Sequence, residues 1–344
     1  MPPLSRQKVQ EIIHGKSSER SPCFVRFWIP KEYIERCRPE IRTLLENFQD
    51  DVLVISPQLP GWGVSPLSQY PEYRWYAPNG VLNQGGWDNR PLIQDWSQLD
   101  VFLKHLPDPT IPVLLDKAKQ MSKEDTRYRV GHFWHFYYER LWMLRGMENA
   151  LTDFYLHPQQ VHQLFQAITD IYLVYVDRLK RETQCNAIFV TDDLGTQNNL
   201  MFHPDVFREF IRPYYQKIID RCHEQNMDFW LHSCGNVEPI LQDLVDMGVD
   251  VLHPIQKYAM NQQSVSQQYK RDICLMAGMD LQQVLPYGNA QEIEKEVDRL
   301  FYQFADNGGR FIFALGNVLT EDVPQENMAY LLSYLLQKIQ GESI

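Results

Sequence analysis

No run of about 18 apolar residues occurs in the sequence, so a helix that spans a membrane is not expected. The opening residues, MPPLSRQKVQEIIHG, lack the apolar segment of a secretory signal peptide. The six cysteines are widely scattered and never spaced as CxxC, which favours reduced thiols over a disulfide framework. Together these absences predict a cytoplasmic protein.

Positive charge is also scarce, with 33 Lys and Arg residues against 44 Asp and Glu residues and a formal net charge of −11. A field of this sign repels phosphate backbones, and no basic stripe offsets it, so nucleic acid is not an expected partner. The apolar fraction, in contrast, is 44%, which is enough for a substantial buried core.

Short, continuous apolar runs recur along the chain and are separated by helical patterns. Runs of this kind are typical of strands buried on both faces, and repeated strand–helix units predict a parallel sheet. The expected strands are 23–29, 51–56, 127–132, 187–193, 228–234, 250–255, 273–279 and 310–315. About eight strands predict a (β/α)8 TIM barrel, formed as a single domain over residues 1–344.

The alternative architecture is an open, doubly wound sheet, but no glycine-rich dinucleotide fingerprint follows the first strand. Residues 57–95 interrupt the strand–helix rhythm with a segment rich in Pro, Gly, Trp and Tyr. We interpret this aromatic-rich insertion as an elaborated loop that could include a hairpin, with a turn at Asn79-Gly80. It could serve as a lid over a flat or apolar substrate, or simply pack on the surface.

Polar side chains recur at the carboxyl ends of the predicted strands, where a barrel of this class places its chemistry. They are Arg26, Trp28, His132, Asp192, Asp193, His232, Cys234, His253, Asp280 and Asn317. Because these strand ends meet at the same face of a barrel, we expect the side chains to converge on one mouth.

His232 and Cys234 are spaced i and i+2 on an extended segment, so both side chains point to the same face. An imidazole beside a thiolate suits a zinc site, although the short motif is equally compatible with packing. Asp192 and Asp193 close the preceding strand. Either carboxylate could cap a loop, act as an acid or base, bind a metal or hold a cationic substrate, and the two could differ in role.

Several long segments resemble the uroporphyrinogen decarboxylase superfamily, and most nearly its branch of zinc-dependent, cobalamin-linked methyltransferases. The matching segments are 140–158, 191–218, 229–256, 276–297 and the C-terminal run RFIFALGNVLTEDVPQENM. The resemblance covers nearly everything after residue 130 and is weak before it. It implies a (β/α)8 barrel, in agreement with the strand count.

In the methyltransferase branch, a His-x-Cys pair and a later cysteine hold zinc, and His232 and Cys234 match the pair. The later cysteine would fall near Ala314, where this sequence has none. The third zinc ligand would then be Asp193 or His253, which close the neighbouring strands. The alternative is that zinc was lost with the cysteine and that His232 and Cys234 only shape the pocket.

The resemblance implies transfer of a methyl group between a small methylated compound and a corrinoid carrier. No DxHxxG cobalamin-binding motif is present, so cobalamin would come on a separate protein or as free cofactor. We take Asp193, His253 and Arg26 as the catalytic candidates.

The alternative activity is decarboxylation of another carboxylated substrate. The decarboxylase itself uses no zinc and binds its substrate through an arginine-rich N-terminal motif, of which PCFVRFWIPKEY offers only Arg26. A third alternative is a non-enzymatic binding protein that kept the barrel.

Overall fold

The computed structural model of the protein describes residues 2–16, 20–78 and 91–341. Its strands are β1 (Cys23–Phe24), β2 (Val52–Val54), β3 (Gly61–Trp62), β4 (Arg74–Trp75), β5 (Tyr128–Phe133), β6 (Ala187–Thr191), β7 (Asp228–His232), β8 (Val251–His253), β9 (Cys274–Met279) and β10 (Phe311–Leu315).

The α-helices are α1 (Arg6–Ile13), α2 (Lys31–Glu35), α3 (Pro39–Asn47), α4 (Leu99–Lys104), α5 (Asp116–Glu124), α6 (Tyr138–Arg145), α7 (Met147–Leu156), α8 (Pro158–Thr183), α9 (Pro204–Val206), α10 (Arg212–Glu224), α11 (Leu241–Asp246), α12 (Gln262–Tyr269), α13 (Val284–Tyr287), α14 (Ala290–Leu300) and α15 (Gln325–Gln340). Among the described residues, none of these helices is both long and apolar enough to cross a bilayer.

Eight strands form one sheet in the order β1-β10-β9-β8-β7-β6-β5-β2, and their pairings are parallel. Each of the expected strands has a counterpart in this sheet, which curls into a nearly closed barrel with helices between its strands. The predicted (β/α)8 TIM barrel is therefore confirmed.

The barrel closes between its first two strands through a pair of buried aspartates. The Asp51 N–H donates to the Cys23 carbonyl at 2.9 Å, and the Asp51 carboxylate accepts from the Cys23 N–H at 2.8 Å. Arg20 donates to the same carboxylate at 2.7 and 2.8 Å. A buried carboxylate requires such partners, so the closure is built from charge-assisted hydrogen bonds.

The first strand is shorter than predicted, because β1 ends at Phe24 and a 3-10 helix follows at Arg26–Trp28. The cause is Asp50, whose carboxylate accepts hydrogen bonds from the backbone N–H groups of Val25, Arg26 and Phe27 at 2.7–3.0 Å. Three successive N–H groups aimed at one side chain cannot also serve a strand ladder.

The insertion contains a short two-stranded ribbon in which β3 and β4 pair in parallel. The expected hairpin around Asn79-Gly80 would involve residues outside the described part of the chain and stays a prediction. The buried Trp75 stacks on Phe102 of α4 at 6.4 Å, and the Arg140 guanidinium lies 4.5 Å from the Trp75 ring. This part of the insertion is packed against the barrel's helices. The expected turn at Asn79-Gly80 lies outside the described residues, and the lid function stays a prediction.

Aromatic side chains fill the barrel interior. Phe24, Phe189 and Trp230 meet edge to face at 6.0–6.2 Å, and Tyr128 stacks on Trp230 at 5.6 Å. Trp28 covers this layer on the side of the carboxyl strand ends, with its ring 6.2 Å from Phe189. The interior is thus a packed floor rather than a channel.

Two histidine–aspartate pairs lie at the opposite, amino-terminal end of the strands. His14 Nε2 is 2.9 Å from Asp228 Oδ1, and His223 Nε2 is 2.9 Å from Asp250 Oδ2. The hydrogen bond to its aspartate is the main cause that raises the pKa of each histidine. These pairs tie α1 and α10 to β7 and to the start of β8.

We predict that the double variant His14→Gln, His223→Gln loses more stability at acidic than at alkaline pH. A raised folded-state pKa stabilises the fold fully below the unfolded value of about 6.5, and this contribution disappears as pH rises through the folded value. The rings are 32% and 42% exposed, so solvent screening limits each pair to about 1 kcal/mol or less.

The measurement is urea unfolding of wild type and variant at about pH 5.5 and about pH 8.5. His162→Gln is the matched control, because the described contacts of the His162 ring are with Tyr214 and Phe210 rather than with a carboxylate. An equal loss of stability at both pH values would contradict the prediction.

Candidate metal centre

Two neighbouring strands bring the predicted polar residues together. Thr191 at the end of β6 pairs with His232 at the end of β7, so the residues after each strand emerge side by side. Trp230 and His232 both face the barrel interior, as their spacing requires. Asp193 and Cys234 follow from the two strand ends.

Asp193, His232 and Cys234 form one cluster, with a ligand atom from each within 4.8 Å of the others. Cys234 Sγ is 3.4 Å from His232 Nε2, which is 3.5 Å from Asp193 Oδ1. The Cys234 N–H also donates to Asp193 Oδ1 at 2.8 Å. The structure therefore brings together His232, Cys234 and one of the two expected third ligands.

The two adjacent aspartates have different roles. Asp192 is fully buried and caps α6, accepting hydrogen bonds from the backbone N–H groups of Tyr137, Tyr138 and Glu139 at 2.8–3.1 Å. Burial is the main cause that raises the pKa of Asp192 to about 7, and the nearby Glu139 adds to it. Asp192 is structural, whereas Asp193 turns toward the cluster.

Two glycines allow the loops after β6 and β7 to touch. A Cβ atom on Gly195 would lie 2.5 Å from the Asn236 nitrogen, and one on Gly235 would lie 2.3 Å from the Gly195 carbonyl carbon. Gly235 also has a φ of +85°, which favours glycine. This close approach holds the Asp193 loop against the Cys234 loop.

His253 does not lie where the sequence led us to expect it. Its side chain is fully buried behind His232 instead of lining the mouth, with the two Nδ1 atoms 2.7 Å apart. The Leu315 carbonyl is 2.8 Å from His253 Nε2, and the Trp28 ring stacks on the imidazole at 4.5 Å. These contacts hold the ring in the barrel interior and separate it from the pocket.

Arg26 is not brought into the cluster. Its guanidinium donates to the Ile29 carbonyl at 3.1 Å, and no contact among the described residues joins it to Asp193, His232 or Cys234. The turn that Asp50 imposes after β1 explains this departure, because the expected strand would have carried Arg26 further along the barrel wall. His132, another candidate, is buried against Phe27 and Trp134.

Burial disfavours charge throughout the cluster. It raises the pKa of the Asp193 carboxyl and of the Cys234 thiol, and it lowers the pKa of the His232 imidazole. The adjacent Asp193 carboxylate further raises the pKa of Cys234. A divalent cation at the centre would reverse this balance, because it would compensate both a carboxylate and a thiolate.

A small pocket of about 100 Å³ opens on Cys234. Its lining includes Gln256, Lys257, Tyr258, Asp280 and Asn317. Asp280 and Asn317 were predicted from their strand ends, whereas the other three follow β8 and were missed. A signal was present, since Gln256 comes directly after the predicted strand 250–255.

Hydrogen bonds fix the polar groups around this pocket. Asn317 Nδ2 donates to Cys234 Sγ at 3.3 Å, and Gln256 Oε1 accepts from the Gly235 N–H at 2.8 Å. Lys257 is neutralised by Asp280 at 3.1 Å and by Glu296 at 3.0 Å. The thiol therefore faces a pocket whose lining surface is mostly apolar and whose described charges are paired.

Comparison with solved structures places a methyltransferase from Methanosarcina mazei among the similar folds, with a TM-score of 0.65 and 17% sequence identity. The match covers 97% of this chain and 98% of that chain. Xylanase B from Clostridium stercorarium F9 is more distant, with a TM-score of 0.45, 10% identity, and coverage of 92% and 89%. At these identities the likeness concerns the fold alone.

Comparison with curated proteins gives no significant match. The family described as Uroporphyrinogen decarboxylase (URO-D) matches residues 141–336, which is more than half of the chain. This region contains all three residues of the cluster and most of the barrel. The chain belongs to the uroporphyrinogen decarboxylase family.

Proposed function

We propose that the protein is a zinc-assisted methyltransferase that moves a methyl group between a small methylated compound and a corrinoid carrier. One observation carries the proposal: a carboxylate, an imidazole and a thiol converge beside a pocket at the carboxyl ends of β6 and β7. The fold shared with an archaeal methyltransferase is in keeping with this activity.

The cluster fits a zinc ion in ligand type and spacing. Zinc binds nitrogen, sulfur and oxygen ligands tetrahedrally, and such ligand atoms lie about 3.4–3.7 Å from one another. The separations of 3.4 Å between Cys234 Sγ and His232 Nε2 and of 3.5 Å between His232 Nε2 and Asp193 Oδ1 agree with this spacing. Three protein ligands leave one position open, as catalytic zinc sites require.

Zinc held by these residues would supply Lewis acidity to the heteroatom that carries the methyl group. A carboxylate ligand in place of a second thiolate leaves the metal more Lewis-acidic, which favours the demethylating direction. Asp193 would hold both the metal and the Cys234 backbone, while Asn317 donates to the Cys234 sulfur. The methyl–heteroatom bond breaks with its electron pair on the heteroatom, and the carrier supplies the pair for the new bond.

The decarboxylase alternative receives less support from the pocket. Binding several substrate carboxylates requires unpaired cationic groups, and among the described lining residues Lys257 is the single cation. Its charge is already compensated by Asp280 and Glu296. Arg26 donates to a backbone carbonyl outside the cluster.

We predict about one zinc ion per chain in protein purified without chelators or a His-tag. Removing one ligand through Asp193→Asn, His232→Gln or Cys234→Ser should lower zinc affinity by more than about 100-fold, because even the loss of an outer hydrogen-bond partner costs about 10–100-fold. Elemental analysis and competition with a chelator measure both quantities.

Cys37→Ser is the matched control for the cysteine variant, since Cys37 donates to the Tyr33 carbonyl outside the cluster and serine can keep this bond. It should retain the metal. A metal-free enzyme with full activity would contradict the zinc site.

We predict that the purified protein carries no cobalamin but changes the spectrum of added cob(I)alamin when given its methyl donor. Methoxy compounds and methylamines form the test panel, and Cys234→Ser should lower the rate at least about 100-fold because the metal is lost. Absence of methylation across the panel would count against the proposal. Release of carbon dioxide from a porphyrinogen-like acid would favour the decarboxylase instead.

A further inference from the structure

We propose that His253 is a positioning residue that fixes the tautomer of His232, so that the Nε2 lone pair of His232 is directed toward Asp193 and Cys234. This inference deepens the proposed function, because it concerns the same site. It stands on a hydrogen-bond chain of three members: the Leu315 carbonyl, the His253 ring and the His232 ring.

The first link of the chain fixes a proton on His253. A backbone carbonyl can only accept hydrogen bonds. Leu315 O lies 2.8 Å from His253 Nε2, so this nitrogen carries the proton. The carbonyl belongs to the end of β10, which is part of the barrel wall and cannot rotate away.

The second link follows from the surroundings of His253. Its side chain is fully buried and stacked on Trp28, and none of its contacts among the described residues is with a carboxylate. A buried imidazolium without a compensating anion is costly, so the ring is neutral and carries one proton. That proton is on Nε2, and Nδ1 is therefore a bare acceptor.

The third link transmits this assignment to His232. The two Nδ1 atoms are 2.7 Å apart, which requires one proton between them. His253 cannot provide it, so His232 Nδ1 is the donor. His232 Nε2 is then unprotonated, and its lone pair lies 3.4 Å from Cys234 Sγ and 3.5 Å from Asp193 Oδ1.

The tautomer of His232 matters for metal binding because the Asp193 carboxylate lies beside its Nε2 atom. Without His253, His232 would gain more by placing its proton on Nε2 and donating to Asp193, because charge-assisted hydrogen bonds are the stronger ones. That tautomer would occupy the nitrogen needed for a metal and would also engage Asp193. His253 thus favours a cluster ready for a cation over a closed His232–Asp193 hydrogen bond.

The strand register supplies the geometry. His232 and His253 are paired residues on β7 and β8, so their side chains leave the barrel wall on the same face. Trp28 lies against both rings, with its centroid 5.5 Å from His232 and 4.5 Å from His253. His253 therefore accepts the hydrogen bond that a carboxylate or a backbone carbonyl usually accepts from a metal-binding histidine.

The test is ¹⁵N NMR of histidine-labelled, metal-free protein, with the His232 signals assigned by their loss in His232→Gln. In wild type we expect His232 to be protonated on Nδ1 and bare on Nε2. His253→Leu removes the acceptor and should reverse this tautomer. His253→Asn retains an amide oxygen as acceptor and should preserve it.

Cobalt(II) affinity is the second measurement. It should fall about 10–100-fold in His253→Leu and remain unchanged in His253→Asn. His162→Leu is the control for loss of a partly buried histidine elsewhere, and circular dichroism checks the fold of each variant.

A His232 protonated on Nε2 in wild type would overturn the inference, and so would a wild-type tautomer that survives in a folded His253→Leu. If His253→Leu does not fold, the His232 tautomer measured in wild type and in His253→Asn still tests the inference. Failure of every variant to bind metal would instead count against the proposed function, since the tautomer is measured without metal.

Discussion

The candidate site depends on the parallel register between β6 and β7. With Thr191 paired to His232, the two strand ends advance together, and the residues that follow them face each other across the gap between strands. The hydrogen bond from the Cys234 N–H to Asp193 Oδ1 joins the two loops, and the contact between Gly195 and Gly235 lets them approach. A slip of one residue would turn His232 out of the barrel interior and separate the cluster.

Burial gives this arrangement its chemical character. Burial raises the pKa of both the Asp193 carboxyl and the Cys234 thiol, and the nearby Asp193 carboxylate raises the pKa of the thiol further. Asp192 is also buried and its pKa is raised, but backbone N–H groups and the Tyr215 hydroxyl donate hydrogen bonds to its carboxylate. Asp193 has fewer hydrogen-bond partners among the described residues and accepts from the Cys234 N–H. A divalent cation would compensate the negative charges that the Asp193 carboxylate and the Cys234 thiolate carry when both are ionised.

Residues at the amino-terminal end of the strands stabilise the fold, whereas the candidate site lies at the carboxyl end, as is usual for this architecture. At the amino-terminal end, Asp228 and Asp250 are paired with His14 and His223, so their charge is already used to hold helices against the strands. At the carboxyl end, His232 lies between His253 and Cys234, and the Asp193 carboxylate is 3.5 Å from its Nε2 atom. An aromatic floor of Phe189, Trp230 and their neighbours separates the two ends.

The sequence by itself determined the barrel, because continuous apolar runs alternating with helical patterns have few other ways to bury both faces of a sheet. It also determined that His232 and Cys234 share a face, since alternation along a strand is local geometry. Only the tertiary structure shows that Asp193, rather than His253, joins the cluster of His232 and Cys234, because contacts from Trp28 and Leu315, which are distant in sequence, hold the His253 ring in the barrel interior. It likewise removed Arg26 from the site, since the carboxylate of Asp50 turns the chain after β1. Local periodicity can predict which face a side chain occupies, but not which remote carbonyl, ring or carboxylate will meet it there.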